Sequence, residues 1–290
     1  MSSNPPLRSC LYMPGANARA LEKARSLPAD CVIFDLEDAV APEAKAEARA
    51  QIAAAVGQGG YGERQLVVRT NAPDSVWGAE DLAMAMALPL NAILVPKVTC
   101  PADIALADAM LADAPRDMQL WAMIETPRAI VEIGAIAAMA EKTRLAGFIF
   151  GPNDYAKDIR AVATPGREAF LPAMAMMVAA ARAWGIAAID GVCNAIGDDA
   201  RLLAEAEQAR IIGFDGKSLI HPSQIAIANR VFSPDPDALA EAQAIIAAFD
   251  APENAGKGVL KVDGKMAERL HYEQAQALVA QAAAIARLEQ

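Results

Sequence analysis

Cys31-Val32-Ile33-Phe34-Asp35-Leu36-Glu37-Asp38 is a continuous apolar run that stops on a cluster of acids. A run without polar alternation suits a strand covered on both faces, as in a parallel sheet. The same unit recurs along the chain. Further apolar runs occupy residues 10–13, 66–69, 92–95, 119–124, 147–150, 187–190 and 211–215, which makes eight in all. Longer stretches of helical character separate them, at residues 17–26, 43–56, 102–111, 129–139, 172–184 and 198–208. Thr126-Pro127 and Thr99-Cys100-Pro101 place proline near a first helical position, and Asp198 is a natural N-cap. Eight strand–helix repeats predict a (β/α)8 TIM barrel, with an open doubly wound sheet as the alternative. The chain has neither a GxGxxG nor a GxxxxGK[ST] phosphate loop, which counts against the open nucleotide-binding sheet.

The pattern changes after Phe232. Ser233-Pro234-Asp235-Pro236 reads as a turn, residues 238–249 as a helix, residues 260–263 as a short extended piece and residues 266–288 as a further helix. Eight repeats do not need this tail. The reading is therefore a catalytic barrel over residues 1–232 and a C-terminal helical cap or arm over residues 233–290, placed as an intersubunit lid.

Acids outnumber bases by 36 to 26, a net charge of −10, which disfavours nucleic acid and anionic membranes as partners. No apolar stretch reaches the length of a membrane span, and the short polar start does not read as a signal peptide. Cys10, Cys31, Cys100 and Cys193 form no CxxC pair, and Cys10 and Cys31 sit inside apolar runs, as reduced buried thiols do. These features point to the cytoplasm. Met174, Met176 and Met177 read as core packing on a helix.

Side chains at the carboxyl ends of barrel strands point into the active site. Here those ends carry Asp35-Leu36-Glu37-Asp38, Arg69-Thr70-Asn71, Pro96-Lys97, Glu125-Thr126, Gly151-Pro152-Asn153-Asp154, Asp190-Gly191 and Asp215-Gly216-Lys217. Seven of the eight ends are charged, and such a concentration in one mouth calls for a metal or a charged ligand. Only two histidines occur, His221 and His271, and no cysteine cluster accompanies them. The donors are therefore hard oxygens, suited to Mg2+ rather than zinc. Strand position alone does not say which two acids are the ligands. His221 reads as a structural or supporting group, and His271 as solvated.

These motifs resemble the citrate lyase β-subunit family of the HpcH/HpaI aldolase superfamily, whose members include malyl-CoA lyases and malyl-CoA thioesterases. The resemblance rests on Arg8-Ser9-Cys10-Leu11-Tyr12-Met13-Pro14-Gly15, Asp35-Leu36-Glu37-Asp38-Ala39-Val40 with Lys45 and Arg49, Val68-Arg69-Thr70-Asn71, Pro96-Lys97-Val98, Ile124-Glu125-Thr126-Pro127, Gly151-Pro152-Asn153-Asp154, Asp190-Gly191-Val192, and Gly213-Phe214-Asp215-Gly216-Lys217 followed by Ile220-His221-Pro222. It implies Glu125 and Asp154 as ligands of Mg2+, with Mn2+ an alternative. Arg69 falls at the position that binds the substrate beside the metal, and Tyr12, Lys23 and Asn153 at positions that bind the substrate. Asp35, Glu37 and Asp38 read as groups that orient Arg69, Lys97 and metal-bound water, and Glu37 and Asp38 join the catalytic set. The chain has Asn17 where related lyases use an arginine, with Arg19 the nearest replacement. Glu268, within Gly264-Lys265-Met266-Ala267-Glu268, stands where the family often offers an aspartate to a neighbouring subunit's site as acid and base.

The implied reaction is metal-dependent carbon–carbon cleavage, or formation, of a malyl-CoA-type 3-hydroxyacyl-CoA, giving an acetyl-CoA-type thioester and an oxoacid such as glyoxylate. (3S)-Malyl-CoA thioester hydrolysis is the alternative, and the β subunit of a multiprotein citrate lyase is a third reading. The implied partners are a small CoA thioester and further copies of the chain, in a trimer or hexamer.

Overall fold

A computed structural model describes residues 5–289, which form two compact units, Leu7–Phe232 and a second built from the segment that begins at Ser233. The expectation about the start of the chain lies, for residues 1–4, outside the described residues.

The first unit opens with β1 (Ser9–Pro14), α1 (Ala18–Ala24), β2 (Cys31–Asp35), α2 (Lys45–Gln58), β3 (Gln65–Arg69), α3 (Gly78–Met86), β4 (Ala92–Val95) and α4 (Pro101–Met110). It continues with β5 (Gln119–Ile124), α5 (Pro127–Val131), α6 (Ile133–Ala137), β6 (Leu145–Phe150), α7 (Pro152–Asp158), α8 (Leu171–Ala183), β7 (Ala187–Asp190), α9 (Asp199–Ile212), β8 (Gly216–Leu219) and α10 (Ile225–Phe232). The eight strands pair in parallel in chain order, and β8 returns to β1 through Ser9↔Lys217, Cys10↔Ser218 and Leu11↔Leu219. This is the expected closed TIM barrel.

Alternation along each strand divides two apolar layers. One side chain in two points inward, where Cys10, Cys31, Ile33, Val67, Leu94, Trp121, Met123 and Ile149 fill the barrel. Trp121 is the largest of them, and Gly147 on the adjacent strand leaves room for its ring, since a Cβ there would lie 3.2 Å from it. The alternate residues, among them Val32, Phe34, Val68, Ile93 and Phe148, face the helices. All four cysteines are free thiols, and Cys10 and Cys31 are buried inside the barrel as expected. The expected helix starts hold as well. Thr126 and Asp198 accept backbone N–H bonds from Ala129 and Arg201 at 3.1 and 3.0 Å, and prolines occupy the first turns of α4 and α5.

Several expectations need correction. Ile211 and Ile212 do not begin the eighth strand; they end α9, which Gly213 closes at φ +108°. The strand is Gly216-Lys217-Ser218-Leu219. Gly216 is obligatory there, because a Cβ would lie 1.7 Å from the Leu7 carbonyl. Lys217 is not at the mouth but fully buried on the outer face, where its ammonium donates to Asp190 at 2.6 Å and to the Gly191 carbonyl at 2.7 Å and lies 3.4 Å from Glu205. Asp190 is likewise turned outward and also takes both bonds from Arg167, at 2.8 Å each. Asp215 precedes the strand and pairs with Arg182. The charges at the end of β7 and around β8 thus form structural pairs behind the sheet. Met174 and Met177 are core, but Met176 is 44% exposed, because successive helical positions face different ways. Residues 129–139 are not one helix: the chain breaks between α5 and α6 at Glu132.

The second unit contains α11 (Pro236–Asp250), β9 (Val259–Val262), β10 (Lys265–Glu268) and α12 (Arg269–Leu288). The expected helix from Met266 begins only at Arg269, because residues 265–268 pair antiparallel with β9. Asp263 and Gly264 adopt positive φ, +48° and +83°, the conformation of a tight hairpin turn. The Phe249 and Tyr272 rings lie 5.3 Å apart, tilted at 49°, with the Arg269 guanidinium over each at 5.7 Å. Among the described residues no helix is long and apolar enough to cross a membrane.

The buried acids Asp190 and Glu205 are matched by Arg167 and Lys217, with Arg201 joining Glu205 from the half-buried rim. Lys217→Ala removes the one fully buried ammonium, leaving Asp190 to Arg167 and Glu205 to Arg201, and is expected to destabilise the barrel by about 3 kcal/mol. Denaturant unfolding checks this, and a loss below about 1 kcal/mol, typical of an exposed pair, would contradict the burial.

Candidate active site at the barrel mouth

The carboxyl ends of the strands surround a cavity of about 380 Å³. Tyr12, Asp35, Asp38, Arg69, Glu125, Asn153 and Asp154 line it among polar side chains, and Met123, Phe150, Val192 and Ile220 among apolar ones. Parallel register explains the convergence, since Asp35 and Arg69 are direct neighbours across β2 and β3. Both continue the inward-facing set of Ile33 and Val67, so their side chains meet inside the mouth.

Arg69 is the most heavily engaged group. Its Nε and Nη2 donate to the two carboxylate oxygens of Asp35 at 2.7 and 2.6 Å, a bidentate pair. Its Nη1 lies 2.7 Å from Glu37, 3.5 Å from Asp38 and 3.6 Å from the Met123 sulfur. The guanidinium also covers the Tyr12 ring at 5.0 Å, and the Tyr12 hydroxyl donates to the Met123 sulfur at 3.8 Å. Burial would weaken the charge, but the adjoining acids hold Arg69 firmly protonated. Burial pushes the Glu37 carboxyl up to about 7, aided by its neighbour Asp38 and opposed by Arg69. Asp38 is more exposed. There burial also raises the carboxyl, but its hydrogen bond with Glu37 and the charges of Arg69 and Lys97 outweigh that and leave it lowered.

Glu125 and Asp154 adjoin this cluster, joined to it through Lys97. Glu125 is nearly inaccessible, and burial raises its carboxyl against the hydrogen bond from the Lys97 backbone N–H at 2.7 Å. Gly151 makes this possible, because a Cβ there would lie 2.5 Å from the Cβ of Glu125. Asp154 lies in the first turn of α7, a helix whose N-terminal turn contains Pro152. One ammonium spans the two acids: Lys97, at φ +57°, ion-pairs with Asp154 and lies 3.8 Å from Glu125 and 3.7 Å from Glu37. A positive φ at a non-glycine residue stores strain, and such strain concentrates at functional sites. The ammonium marks a point that Asp154, Glu125 and Glu37 all face. No group of three or more acid, histidine or cysteine side chains suited to a metal occurs among the described residues. Two hard oxygen donors beside an open cavity fit a small divalent cation that keeps water and substrate as its other ligands.

Of the residues singled out in the sequence, Tyr12, Asp38, Arg69, Asn153, Glu125 and Asp154 come together here, with Glu37 against Arg69. Lys23 does not line the cavity and is exposed on α1, and Asn17 caps that helix. Glu268 belongs to the second unit, where its backbone N–H donates to His271 Nδ1 at 3.0 Å. His221 caps the turn before α10 by accepting from the Ser223 N–H at 3.2 Å. Met123 lines the cavity, and Asn194, outside the lining, donates its amide to Asn153 at 2.6 Å; neither carried an expectation in the sequence. Inward alternation on β5 pointed to Met123, while no local signal marked Asn194. A second cavity, about 430 Å³, lies within the C-terminal unit, and its Lys265 and Glu241 already pair with each other at 2.7 Å.

Known proteins share this architecture. The chain is 46% identical to a (3S)-malyl-CoA thioesterase of Cereibacter sphaeroides, over 97% of this chain and 96% of that one. It is 34% identical to the citrate lyase subunit beta of Escherichia coli, over 90% and 88%. The structure matches protein CitE from Mycobacterium tuberculosis, crystallised with magnesium, acetoacetate and coenzyme A, with a TM-score of 0.74 at 26% identity over 97% and 99% of the two chains. The family model for HpcH/HpaI aldolase/citrate lyase matches residues 8–222, which span the barrel from β1 to the turn after β8. With that match and its near full-length relatives, this chain belongs to the HpcH/HpaI aldolase/citrate lyase family.

Proposed function

We propose that this chain is a magnesium-dependent enzyme that acts on a malyl-CoA-type 3-hydroxyacyl-CoA and breaks its carbon–carbon bond to give an acetyl-CoA-type thioester and an oxoacid such as glyoxylate. The observation that carries the reading is the convergence of Glu125 and Asp154 on one cation position in the cavity that Arg69 also lines. The magnesium and coenzyme A of the Mycobacterium tuberculosis protein, and the substrate named for the Cereibacter sphaeroides relative, support it.

Glu125 and Asp154 would hold the ion. When bound, magnesium supplies Lewis-acid polarisation of the substrate's hydroxyl and carboxylate oxygens. Asp35 fixes Arg69 by its Nε and Nη2, and Nη1, which faces Glu37 at 2.7 Å, would turn its remaining N–H to balance charge developing on substrate oxygens. Glu37 and Asp38 orient that nitrogen. The bond from Asn194 occupies the Asn153 carbonyl and leaves the Asn153 amide N–H groups for the substrate. Tyr12 makes only a weak bond to sulfur and can exchange it for a substrate oxygen. Lys23 would serve the CoA portion. Glu268 would move the proton at the carbon next to the thioester, from a neighbouring subunit of a homotrimer or hexamer in which residues 233–290 act as the lid. The free cysteines fit a cytoplasmic setting.

A second reading is hydrolysis of the thioester bond in the same pocket, favoured by the name of the 46%-identical relative. The third, a subunit of a multiprotein citrate lyase, is favoured by the 34% relative and would require stoichiometric partners on purification.

A product assay with (3S)-malyl-CoA and Mg2+ separates these. Glyoxylate with acetyl-CoA is the expected result. Free malate without glyoxylate would transfer the conclusion to hydrolysis, and neither product would remove the substrate class.

Glu125→Gln and Asp154→Asn are each expected to lower turnover by at least about 1,000-fold, the scale of several kcal/mol of lost charge stabilisation. They should also abolish any rise in melting temperature on adding Mg2+, while the metal-free melting temperature stays near wild type. A variant that keeps Mg2+-dependent turnover excludes its residue as a ligand.

For the lid, Glu268→Ala and Arg69→Ala should each be inactive alone. Co-expressed, they should recover part of the turnover, because some sites combine an intact Arg69 with an intact Glu268 from another chain. Absence of recovery in mixed oligomers would exclude donation between subunits.

A further inference from the structure

Lys45 begins α2 on the helix side of the barrel, yet it is only 5% exposed. An ammonium has three donors, and here each meets an acceptor. Nζ donates to the Leu36 carbonyl at 2.6 Å, the Glu37 carbonyl at 2.8 Å and Asn71 Oδ1 at 2.9 Å. The Trp77 ring lies 5.2 Å from the same nitrogen. None of the three acceptors is a carboxylate, so the charge is applied to backbone and amide dipoles of the two loops that follow β2 and β3.

Asn71 is fixed in turn. Its Nδ2 donates to Leu36 at 3.1 Å and to Asp81 at 2.6 Å, and Asp81 also accepts from Arg49 at 2.9 Å. Helices α2 and α3 are thereby tied to both loops through buried polar bonds. The held carbonyls belong to the peptide units on either side of Glu37, so their orientation decides where the Glu37 and Asp38 carboxylates point. Those carboxylates stand 2.7 and 3.5 Å from Nη1 of Arg69.

We infer that Lys45 is a positioning residue: its grip on the Leu36 and Glu37 carbonyls aims Glu37 and Asp38 at Arg69, and so sets how the guanidinium is presented to the substrate. This rests on the role given to Arg69 above. Misplacement of a reacting group by about 1 Å can cost roughly 100-fold in rate, which gives the expected scale.

Lys45→Met keeps the length of the side chain and removes all three donors. The amides of Leu36, Glu37, Ala39 and Val40 are all hydrogen-bonded, so hydrogen exchange over residues 36–40 reads the loop directly. Exchange there is expected to accelerate at least about tenfold, with the remainder of α2 little changed. The value of kcat is expected to fall on the order of 10- to 100-fold with KM within about threefold. In a Glu37→Gln background the same substitution should cost less, since the group being aimed has been altered. If Lys45→Met does not accumulate as folded protein, Lys45→Gln, which retains one donor group, is read in the same way. Unchanged exchange at residues 36–40, or an equal loss of kcat in the Glu37→Gln background, would overturn the inference. Wild-type protein inert toward malyl-CoA would overturn the substrate reading alone, because the exchange measurement uses no substrate.

Discussion

The barrel mouth is organised around a permanent cation kept almost out of water. A guanidinium cannot shed its proton in a protein, and burial without partners would cost several kcal/mol. Arg69 therefore dictates its surroundings. Asp35 must sit opposite it in register, Glu37 and Asp38 must fold back over the free nitrogen, and the β2–α2 loop must be held in the shape that allows this. Lys45 and Asn71 hold that loop from behind. The pair also orders the site chemically, because two of the three nitrogens are committed to Asp35 and the third faces Glu37 and Asp38.

Glu125 and Asp154 obey a different constraint. Two acids brought together in a poorly hydrated cleft repel each other unless a cation lies between them. Here the Lys97 ammonium occupies that position, carried on a backbone in the left-handed region at the end of β4. Gly151 allows β6 to pass close against Glu125, and the first turn of α7 brings Asp154 to the same point. The site thus depends on backbone features that no single charged residue reveals.

The relatives carry different names, a thioesterase in one case and a citrate lyase subunit in another. Under the function proposed above, one arrangement of carboxylates and arginine would serve either outcome. What distinguishes them must lie in where water and the proton-transfer group stand around that arrangement. In this chain Glu268 belongs to a compact unit separate from the barrel.

Much of this was legible in the sequence because it depends on local pattern. Seven of the eight apolar runs became strands, and the acids and bases after β2 to β6 came together at the mouth, since parallel strands of one barrel present their carboxyl ends on one side. Strand eight was hidden because Gly216-Lys217-Ser218-Leu219 is polar; its lysine is tolerated through ion pairs with Asp190 and Glu205, which lie far away in sequence. The same long-range pairing withdrew Asp190 from the mouth. Residues 265–268 have helix-forming character, but the Asp263-Gly264 turn set them against β9 as a strand. The sequence by itself determined the barrel and the set of charged residues at its mouth, through periodicity and motif. Only the tertiary structure decided which charges face the cavity and which are neutralised behind the sheet, because that depends on partners supplied by distant elements and on the inward or outward phase of each strand.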